Sequence, residues 1–165
     1  MNIKYLSTIL VFFALIFIGC QNGPKPINYG NDECDYCKMM ISDAKYGSEF
    51  VTEKGKVYKF DSIECLTAYL MKNDVENSKL YFGNFDNPEN FIEGTIVIFV
   101  RSEKLRSPMG KYLSAHENKA NAEDIINEYV GRIMNWNEVQ TLVKEEWLKE
   151  TAMNKTQSNN CECCN

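Results

Sequence analysis

Two thiols and two thioethers lie together in the stretch Cys34-Asp35-Tyr36-Cys37-Lys38-Met39-Met40. Thiolate and thioether sulfurs are soft donors, which select Cu(I), zinc or iron–sulfur clusters over magnesium and calcium. Zinc sites use cysteine, histidine and carboxylate ligands and have little use for methionine. The Cys-x-x-Cys-x-Met spacing therefore favours a site for cuprous copper.

Cys34 and Cys37 are also compatible with a disulfide, half of a zinc site or a redox pair. No βαβ pattern of the thioredoxin type precedes them, which argues against the redox pair. A zinc site would need two further ligands, and the sequence holds no second Cys-x-x-Cys and no histidine pair. If the segment is extended, Cys37 and Met39 share a face while Met40 points into the core, so we predict Met39 as a ligand. The alternative is that both methionines fill gaps in the core.

Further ligands are predicted from the second half of the chain. Met109 lies in the turn Ser107-Pro108-Met109-Gly110, where the side chain is expected to be exposed. His116 is the only histidine, although a lone histidine is more often a surface residue or one satisfied within the core. Cys65 lies one residue off the apolar stripe of a helix and is predicted to be a buried, inert thiol. The predicted copper ligands are Cys34, Cys37, Met39, Met109 and His116.

The C-terminal segment carries a cluster of cysteines, Cys161-Glu162-Cys163-Cys164. Adjacent cysteines pair only through a strained ring, because a disulfide needs Cα atoms about 4.4–6.8 Å apart. The polar segment 154–165 is predicted to be disordered. We predict that Cys161, Cys163 and Cys164 form an auxiliary Cu(I) site, the alternative being a tail that oxidises without function.

The first residues predict export. Lys4 precedes an apolar run from Leu6 to Ile18 that ends at Gly19-Cys20, which is typical of a signal peptide over residues 1–19. The run is shorter than the roughly 18 residues of a membrane-spanning helix, which disfavours an uncleaved anchor. Cys20 is predicted to carry lipid, and the polar residues 20–31, with their glycines and prolines, to form a tether.

Composition limits the classes of partner. The formal net charge is −5 and no basic run is present, which argues against nucleic acid. A hydrophobic share of 44% is ordinary for one globular domain. Membrane contact is therefore expected through the lipid, since no basic amphipathic helix is evident.

The elements that position these residues alternate between hairpins and helices. Glu49–Glu53 and Lys56–Phe60 flank a Lys54-Gly55 turn, which predicts a β-hairpin. Asp61, followed three residues later by Glu64, predicts the start of a helix that runs to about Lys72. Further strands are predicted at Lys79–Phe85, Thr95–Arg101, Lys111–Ala115 and Arg132–Met134, of which Thr95–Arg101 is apolar enough to be central.

Two more helices complete the prediction. The first has apolar residues at helical spacing and is expected to end at Gly131. The second is expected to begin at Asn137, with Gln140 as its capping partner. Together, these strands and helices predict an α+β domain over residues 32–153. It has two similar ββαβ-like halves, hairpins packed against helices, and a C-terminal helix.

Four separated motifs together resemble the nitrous oxide reductase accessory protein family, NosL. They are the lipobox-like Phe17-Ile18-Gly19-Cys20, the Cys34–Met39 stretch, Phe60-Asp61-Ser62-Ile63-Glu64-Cys65, and Ser107-Pro108-Met109-Gly110 followed by a helix and Gly131. Their order is specific, although no single motif is, and it spans nearly all of the mature domain. The chain departs at Lys38, where the family usually has glycine, and the cysteine-rich tail is not part of the family pattern.

The resemblance implies a lipid-anchored chaperone of the cell envelope, facing the periplasm or extracytoplasmic space, that delivers Cu(I) to the nitrous oxide reductase apoprotein. The residues themselves favour a binding protein over an enzyme, because no nucleophile–base pair is in view. Two alternatives remain open. One is a thiol–disulfide oxidoreductase using Cys34 and Cys37, and the other is a structural lipoprotein in which that pair is permanently bonded.

Overall fold

The computed structural model of the protein describes residues 23–73, 75 and 77–149. Within these ranges, hairpins and helices alternate along the chain. The strands are β1 (Ser48–Val51), β2 (Val57–Phe60), β3 (Lys79–Gly83), β4 (Phe91–Glu93), β5 (Ile98–Arg101), β6 (Leu113–His116) and β7 (Arg132–Met134). The helices are α1 (Ile63–Lys72), α2 (Lys119–Tyr129) and α3 (Trp136–Leu142), and a π-helical turn over Val143–Leu148 continues α3.

Two antiparallel sheets are built on the same plan. In the first, β1 lies between its hairpin partner β2 and the strand after α1, β3, while β4 adds an outer strand. In the second, β5 lies between β6 and β7 in the same way. The predicted α+β fold, with two similar ββαβ-like halves and a C-terminal helix, is confirmed. Strand β4 is an addition that the sequence pattern did not indicate.

The first hairpin forms where the alternating residues predict it. Phe50 pairs with Tyr58 across β1 and β2, and their ring centroids lie 5.4 Å apart. Such cross-strand aromatic pairs contribute roughly 0.2–1 kcal/mol each. Gly55 supplies the positive φ of 79° in the connecting turn. The hairpin ends at Phe60, and the chain turns from there directly into α1.

Helix α1 is capped by a different residue from the one predicted. The hydroxyl of Ser62, not the carboxylate of Asp61, accepts the amide hydrogen of Cys65 at 3.2 Å. Asp61 is left outside the helix with its side chain turned inward, 2% exposed. The helix then buries Ile63 and Leu66 in the core and ends at Lys72 as predicted.

Helix α3 begins two residues earlier than predicted. Asn135 and Glu138 form the reciprocal capping pair: the amide of Glu138 donates to Asn135 at 3.0 Å, and the amide of Asn135 donates to Glu138 at 2.8 Å. The prediction assigned this role to Asn137 and Gln140. Asn135 directly follows β7, so the chain enters the helix as soon as the strand ladder ends.

The end of α2 depends on two residues with different tasks. Val130 is the capping residue, with an unusual φ of 55°, although the sequence predicted Gly131 for this role. Gly131 is needed for close packing instead, since a Cβ there would lie 2.6 Å from the carbonyl oxygen of Arg101. A side chain at this position would push β7 away from β5.

The larger hydrophobic cluster draws on both sheets, α1 and α3. Its phenylalanines are almost completely buried, and each contributes roughly 1.5–3 kcal/mol of burial free energy. Phe82 of the first sheet meets Phe99 of the second edge-on at 5.0 Å, which joins the two halves. Cys34 and Cys65 belong to the same cluster.

Strand β5 is central and covered on both faces, as predicted. Phe99 packs into the large cluster, whereas Val100 packs with Ala122 and other residues of α2 in a smaller one. The strand is shorter than predicted: it begins at Ile98, and Ile96 is 57% exposed.

Part of the segment predicted as a tether packs on the domain. Ile27 lies in the large cluster, and the amide of Lys25 donates to the carboxylate of Glu49 at 2.8 Å. The predicted signal peptide, Cys20 and the tail 154–165 lie outside the described residues. None of the helices in the described ranges is long and apolar enough to cross a membrane.

Candidate metal centre

The loop from Asp32 to Ile41 carries two of the predicted cysteines. The amide of Ile41 donates to the carbonyl of Asp32 at 2.9 Å, and the amide of Cys34 donates to that of Met39 at 2.8 Å. Lys38 has a φ of 65°, in the left-handed region that favours glycine. The loop is therefore a tight turn and not an extended strand.

The two methionines of this loop both face solvent. Met39 is 48% exposed and Met40 is 59% exposed. The prediction that Met40 enters the core is wrong, because strand alternation does not apply to a turn. Met39 reaches the site through its backbone, whose amide donates to the sulfur of Cys37.

Three contacts fix the loop against the domain. The amides of Asp35 and Lys59 bond reciprocally at 2.8 Å, to the carbonyl of Lys59 and the carboxylate of Asp35 respectively, which aligns the loop with β2. The Tyr36 ring lies 5.7 Å from that of Trp147 in the π-helical turn. Lys72 of α1 donates to the Tyr36 hydroxyl at 2.8 Å. These contacts fix the loop against β2, α1 and the π-helical turn.

Four metal-binding side chains meet at this junction. One ligand atom from each of Cys34, Cys37, Asp61 and Cys65 lies within 4.8 Å of all the others. Sulfurs bound to one metal at about 2.3 Å are separated by about 4 Å, so the spacing suits a single ion. Cys34 and Cys65 are fully buried, and Cys37 is partly exposed.

Cys34 is the thiol most easily deprotonated. Its pKa is lowered to about 6, chiefly because the Cys65 thiol donates a hydrogen bond to its sulfur. Backbone amides of Cys37, Asp61 and Tyr36 also donate to that sulfur, and with the Cys65 bond they outweigh the cost of burying the charge. The surroundings of Cys34 therefore favour its thiolate form over those of Cys37 and Cys65.

The other two thiols retain their protons. Burial raises the pKa of Cys37 to about 11. The pKa of Cys65 is raised far above its ordinary value, first because its proton is held in the hydrogen bond to Cys34 and then by burial. A metal ion bound by all three sulfurs must displace these two protons.

Asp61 supplies a carboxylate beside the three sulfurs. Both of its oxygens are buried, and neither has a hydrogen-bond partner within the described ranges. Burying an unpaired carboxylate is costly, so a cation at this position would satisfy it. The sequence argument against zinc found no two further ligands for Cys34 and Cys37, whereas the structure places Cys65 and Asp61 where they could supply them.

The turn that carries Met109 is also attached to the start of α1, through hydrogen bonds to Glu64. The carboxylate of Glu64, fully buried and with a pKa raised by that burial, accepts from the Ser107 hydroxyl at 2.7 Å and the Lys111 amide at 3.2 Å. These bonds tie the turn 107–110 to the residue that precedes Cys65. Met109 is half-buried against the large cluster, more enclosed than the sequence predicted.

His116 lies in a separate polar cluster. Its Nδ1 is 2.9 Å from the Asp86 carboxylate and its Nε2 is 2.9 Å from the Ser114 hydroxyl, while Asn121 bonds the same carboxylate at 3.0 Å. The side chain is completely buried, and both ring nitrogens are engaged within the fold. The structure does not bring His116 into the group of four at α1.

This second cluster lies at the counterpart of the first junction. Each site occurs where a hairpin strand, β2 or β6, passes into a helix, α1 or α2. Cys65 is the third residue of α1 and donates its amide to the cap Ser62. Asn121 is the third residue of α2 and donates its amide to the cap Asn118 at 3.0 Å. The two equivalent junctions therefore carry different side chains, with cysteine sulfurs at the first and a histidine and an asparagine at the second.

Sequence reasoning missed Cys65 and Asp61 as site members. The usable signal was their spacing of four residues across the helix start, because side chains four residues apart on a helix lie on the same side. Cys20, Cys161, Cys163 and Cys164 lie outside the described residues, so their predicted roles remain predictions.

Comparison with known proteins finds relatives in sequence and in fold. A family model described as NosL matches residues 26–143. The copper-binding lipoprotein NosL of Stutzerimonas stutzeri is 24% identical in an alignment 159 residues long, which takes in 86% of this chain and 82% of that protein. The solved structure of the copper chaperone NosL from Shewanella denitrificans matches with a TM-score of 0.61 at 22% identity, covering 71% of this chain and 95% of that chain. The structural likeness shows a shared fold.

Proposed function

The chain belongs to the NosL family, and from that premise we propose that it binds Cu(I) as a cargo and passes it to an apoprotein. The observation that carries the proposal is the convergence of the Cys34, Cys37 and Cys65 sulfurs at one point. Three sulfurs are a soft donor set that suits cuprous copper. The relatives found by comparison are named as a copper-binding lipoprotein and a copper chaperone.

Copper enters and leaves this site by way of Cys37. Cys34 and Cys65 are fully buried, so Cys37 is the member of the trio open to solvent. The exposed Met39 follows two residues later, and its thioether serves as a transient ligand on the path. An exposed, exchangeable last ligand suits handover better than storage.

Asp61 makes Zn(II) the second candidate cargo. Three cysteines and one carboxylate are a donor set that zinc also accepts. In the copper proposal, the Asp61 carboxylate offsets the positive charge of the ion without binding it tightly, because carboxylate is a hard donor. The two cargoes therefore differ in how strongly binding depends on Asp61.

A thiol–disulfide oxidoreductase is a poorer fit to the geometry. A reactive cysteine needs both a depressed pKa and solvent access. Here the lowered pKa belongs to Cys34, which is fully buried, while the accessible Cys37 has a raised pKa. The two requirements fall on different residues, which favours a binding protein over an enzyme.

The acceptor is proposed from the family resemblance to be the nitrous oxide reductase apoprotein, outside the cytoplasm. The signal-like residues 1–19 and the lipobox-like Cys20 support an anchored, extracytoplasmic protein. One relative is itself named a lipoprotein. The lipid would hold the copper site near a membrane surface without a spanning helix.

Competition against a chromogenic cuprous chelator tests the site under reducing, oxygen-free conditions. Cys34→Ser, Cys37→Ser and Cys65→Ser should each weaken Cu(I) binding by at least about tenfold, because each removes one sulfur. Met71→Leu, at an exposed methionine on α1, is the matched control and should leave the affinity unchanged. Asp61→Asn should weaken Cu(I) binding less than any cysteine variant.

The same series separates the alternatives. Unchanged affinity in Cys65→Ser, with losses in Met39→Leu and Met109→Leu, would replace the three-sulfur site by the one predicted from sequence. A parallel titration with Zn(II) addresses the second cargo. Retention of zinc by a protein that yields Cu(I) to the chelator, together with a large loss in Asp61→Asn, would make zinc the cargo.

A further inference from the structure

Residues 24–31, named the strap below, pack on the domain just before the loop from Asp32 to Ile41, named the metal loop. Ile27 of the strap is 6% exposed and belongs to the same hydrophobic cluster as two of the three site sulfurs. Tyr29 lies against Gly47, where an added Cβ would lie 3.1 Å from the tyrosine hydroxyl. The strap is therefore a docked segment, although it contributes no ligand to the group of four.

Lys59 of β2 contacts both segments with its side chain. Its Nζ donates to the carbonyl oxygen of Pro26 in the strap at 2.8 Å. The same Nζ donates to the carboxylate of Asp32, the first residue of the metal loop, at 2.6 Å. That carboxylate also accepts the amide hydrogen of Asn28 at 2.8 Å. The ammonium group therefore joins the strap to the base of the metal loop.

The backbone of Lys59 holds the metal loop at a second point. Its amide donates to the carboxylate of Asp35, and its carbonyl accepts from the amide of Asp35, both at 2.8 Å. Asp35 directly follows Cys34, and Cys37 is two residues further along. Replacing the Lys59 side chain leaves these backbone bonds in place, so the contacts at the base of the loop can be tested separately.

The position of the metal loop decides whether the three sulfurs meet. Cys34 and Cys37 belong to the loop, whereas Cys65 belongs to α1, so the sulfurs converge only while the loop stays closed on the domain. Asp32 closes the base, since its carbonyl accepts the amide of Ile41 at 2.9 Å. Its carboxylate is held by the Lys59 ammonium, and both side chains are only about one-quarter exposed, at 27% and 24%. Partial burial protects this bond from the competition with water that weakens ion pairs on the open surface.

We propose that Lys59 is a positioning residue that couples docking of the strap to closure of the metal loop, a proposal that rests on the function proposed above. Bound copper and the docked strap then stabilise each other, because both need the loop in the same closed position. By linkage, the factor by which the docked strap tightens copper binding equals the factor by which copper tightens docking of the strap. Undocking of the strap loosens the loop and speeds the release of copper to an acceptor.

The strap is well placed to act as a control element. It begins four residues after Cys20, the predicted site of the lipid. A change in how the chain is held at a membrane therefore acts on the strap before it acts on the rest of the domain. Through Lys59 the change reaches the metal loop, without any contact between the membrane and the sulfurs.

The rate of copper release tests the Lys59 side chain. In every sample, serine replaces the cysteines of the full chain that lie outside the described residues, Cys20, Cys161, Cys163 and Cys164. Lys59→Met should bind the same amount of Cu(I) as the parent but release it to a chromogenic chelator about tenfold faster, because two charge-assisted hydrogen bonds are lost. Lys59→Arg, which keeps a cationic donor, should release copper more slowly than Lys59→Met. Lys54→Met, at an exposed position in the same hairpin, is the matched control and should match the parent.

Limited digestion with chymotrypsin measures docking of the strap directly. A cut after Tyr29 requires the strap to leave the domain, whereas a cut after Phe99 in the central strand β5 requires the core to open. Cu(I) should slow the cut after Tyr29 in the parent about tenfold. In Lys59→Met, saturated with Cu(I) to the same extent, copper should change that rate much less. A variant that is merely less stable would be cut faster at Phe99 as well and would keep the effect of copper at Tyr29.

The outcomes separate this proposal from the function on which it rests. Equal release rates in Lys59→Met and the parent overturn the coupling, and so does equal protection of Tyr29 by copper in both. Release from Lys59→Arg as fast as from Lys59→Met also counts against it, because the ammonium contacts would then not be the cause. A parent that binds no Cu(I) defeats the proposed function instead. Faster cutting of metal-free Lys59→Met after both Tyr29 and Tyr36 would still show that Lys59 couples the strap to the loop, and unchanged cutting would overturn that too.

Discussion

Cys34 combines two properties that seldom occur together, a fully buried sulfur and a lowered pKa. The combination depends on donors from three places: the loop itself, the Asp61 amide ahead of α1, and the Cys65 thiol. A thiolate held this way is protected from bulky oxidants and alkylating agents, because reactivity requires access as well as charge. Such a sulfur suits metal binding better than nucleophilic attack.

Glu49 gives the protein a pH dependence that is separate from the metal site. Its side chain is fully buried, and burial raises its pKa from 4.5 to about 7. Because the unfolded chain ionises first, the stability tied to protonated Glu49 is complete below about pH 4.5 and is lost as the pH rises to about 7. Glu49→Gln should therefore gain about 2–3 kcal/mol in free energy of unfolding, relative to the parent, between pH 5 and pH 8.

Urea unfolding of both proteins at the two pH values measures this difference. Glu117→Gln, at an exposed position, is the matched control and should show a small difference at both. A difference between Glu49→Gln and the parent that does not vary with pH would show that Glu49 is ionised in the folded protein throughout.

Lys38 bears a backbone conformation that suits glycine. Its φ of 65° costs a residue with a Cβ roughly 1–2 kcal/mol, part of which glycine gives back through greater freedom in the unfolded chain. Lys38→Gly should therefore raise the stability of reduced apo-protein by about 0.5–1 kcal/mol, seen as a higher thermal midpoint. Lys54→Gly, in the exposed hairpin turn, is the comparison substitution. A lower midpoint in Lys38→Gly would mean that the Lys38 side chain stabilises the loop by contacts that exceed the strain.

Among the secondary-structure elements, those with strong periodicity were predictable, and their ends were less so. The hairpin at Gly55 and the central β5 follow directly from residue patterns. Helix starts moved by one or two residues because capping residues occur in neighbouring pairs, such as Asp61 beside Ser62. Tertiary packing decides which residue of such a pair caps the helix, and local sequence patterns do not encode that packing.

The site was only half predictable for a related reason. The spacing of Cys34 and Cys37 in the sequence already indicates a metal site. Cys65 comes close to them only because the hydrogen bonds between Asp35 and Lys59 align the loop with β2. Those bonds connect residues 24 positions apart, and no periodicity in the sequence indicates them. Met40 was misplaced because the sequence did not reveal the left-handed turn at Lys38.

The turn 107–110 is an element whose position depends on one hydroxyl. Ser107 donates to Glu64 at 2.7 Å and accepts from the amide of Tyr112 at 2.9 Å. Ser107→Ala should lower the free energy of unfolding by about 1–3 kcal/mol, because it leaves a buried carboxylate with one donor fewer. Urea titration measures the loss, with the exposed Ser42→Ala as control. Equal stability of Ser107→Ala and the parent would show that water or another group replaces the hydroxyl.

For the molecule as a whole, attachment to a membrane should depend on one residue. Cys20→Ser should move the protein from the membrane fraction to the soluble fraction and abolish labelling by a lipid precursor, because it removes the sulfur that would carry the acyl group. Cys65→Ser, at a buried cysteine of the folded domain, controls for the loss of a thiol. Labelled Cys20→Ser protein would place the lipid elsewhere in the chain.

The β2–α1 and β6–α2 junctions occupy equivalent positions in the two halves. Amide hydrogen exchange at the second junction can therefore serve as an internal control for exchange at the first. Copper bound at the sulfur-bearing junction should slow exchange around Ser62–Leu66, because local opening there would have to break metal bonds. The amides around Asn118–Ala122, at the equivalent junction of the other half, which carries no cysteine, should exchange at the same rate with and without copper. An equal decrease in exchange rate at both junctions would show that the ion stabilises the whole fold and not the first junction alone.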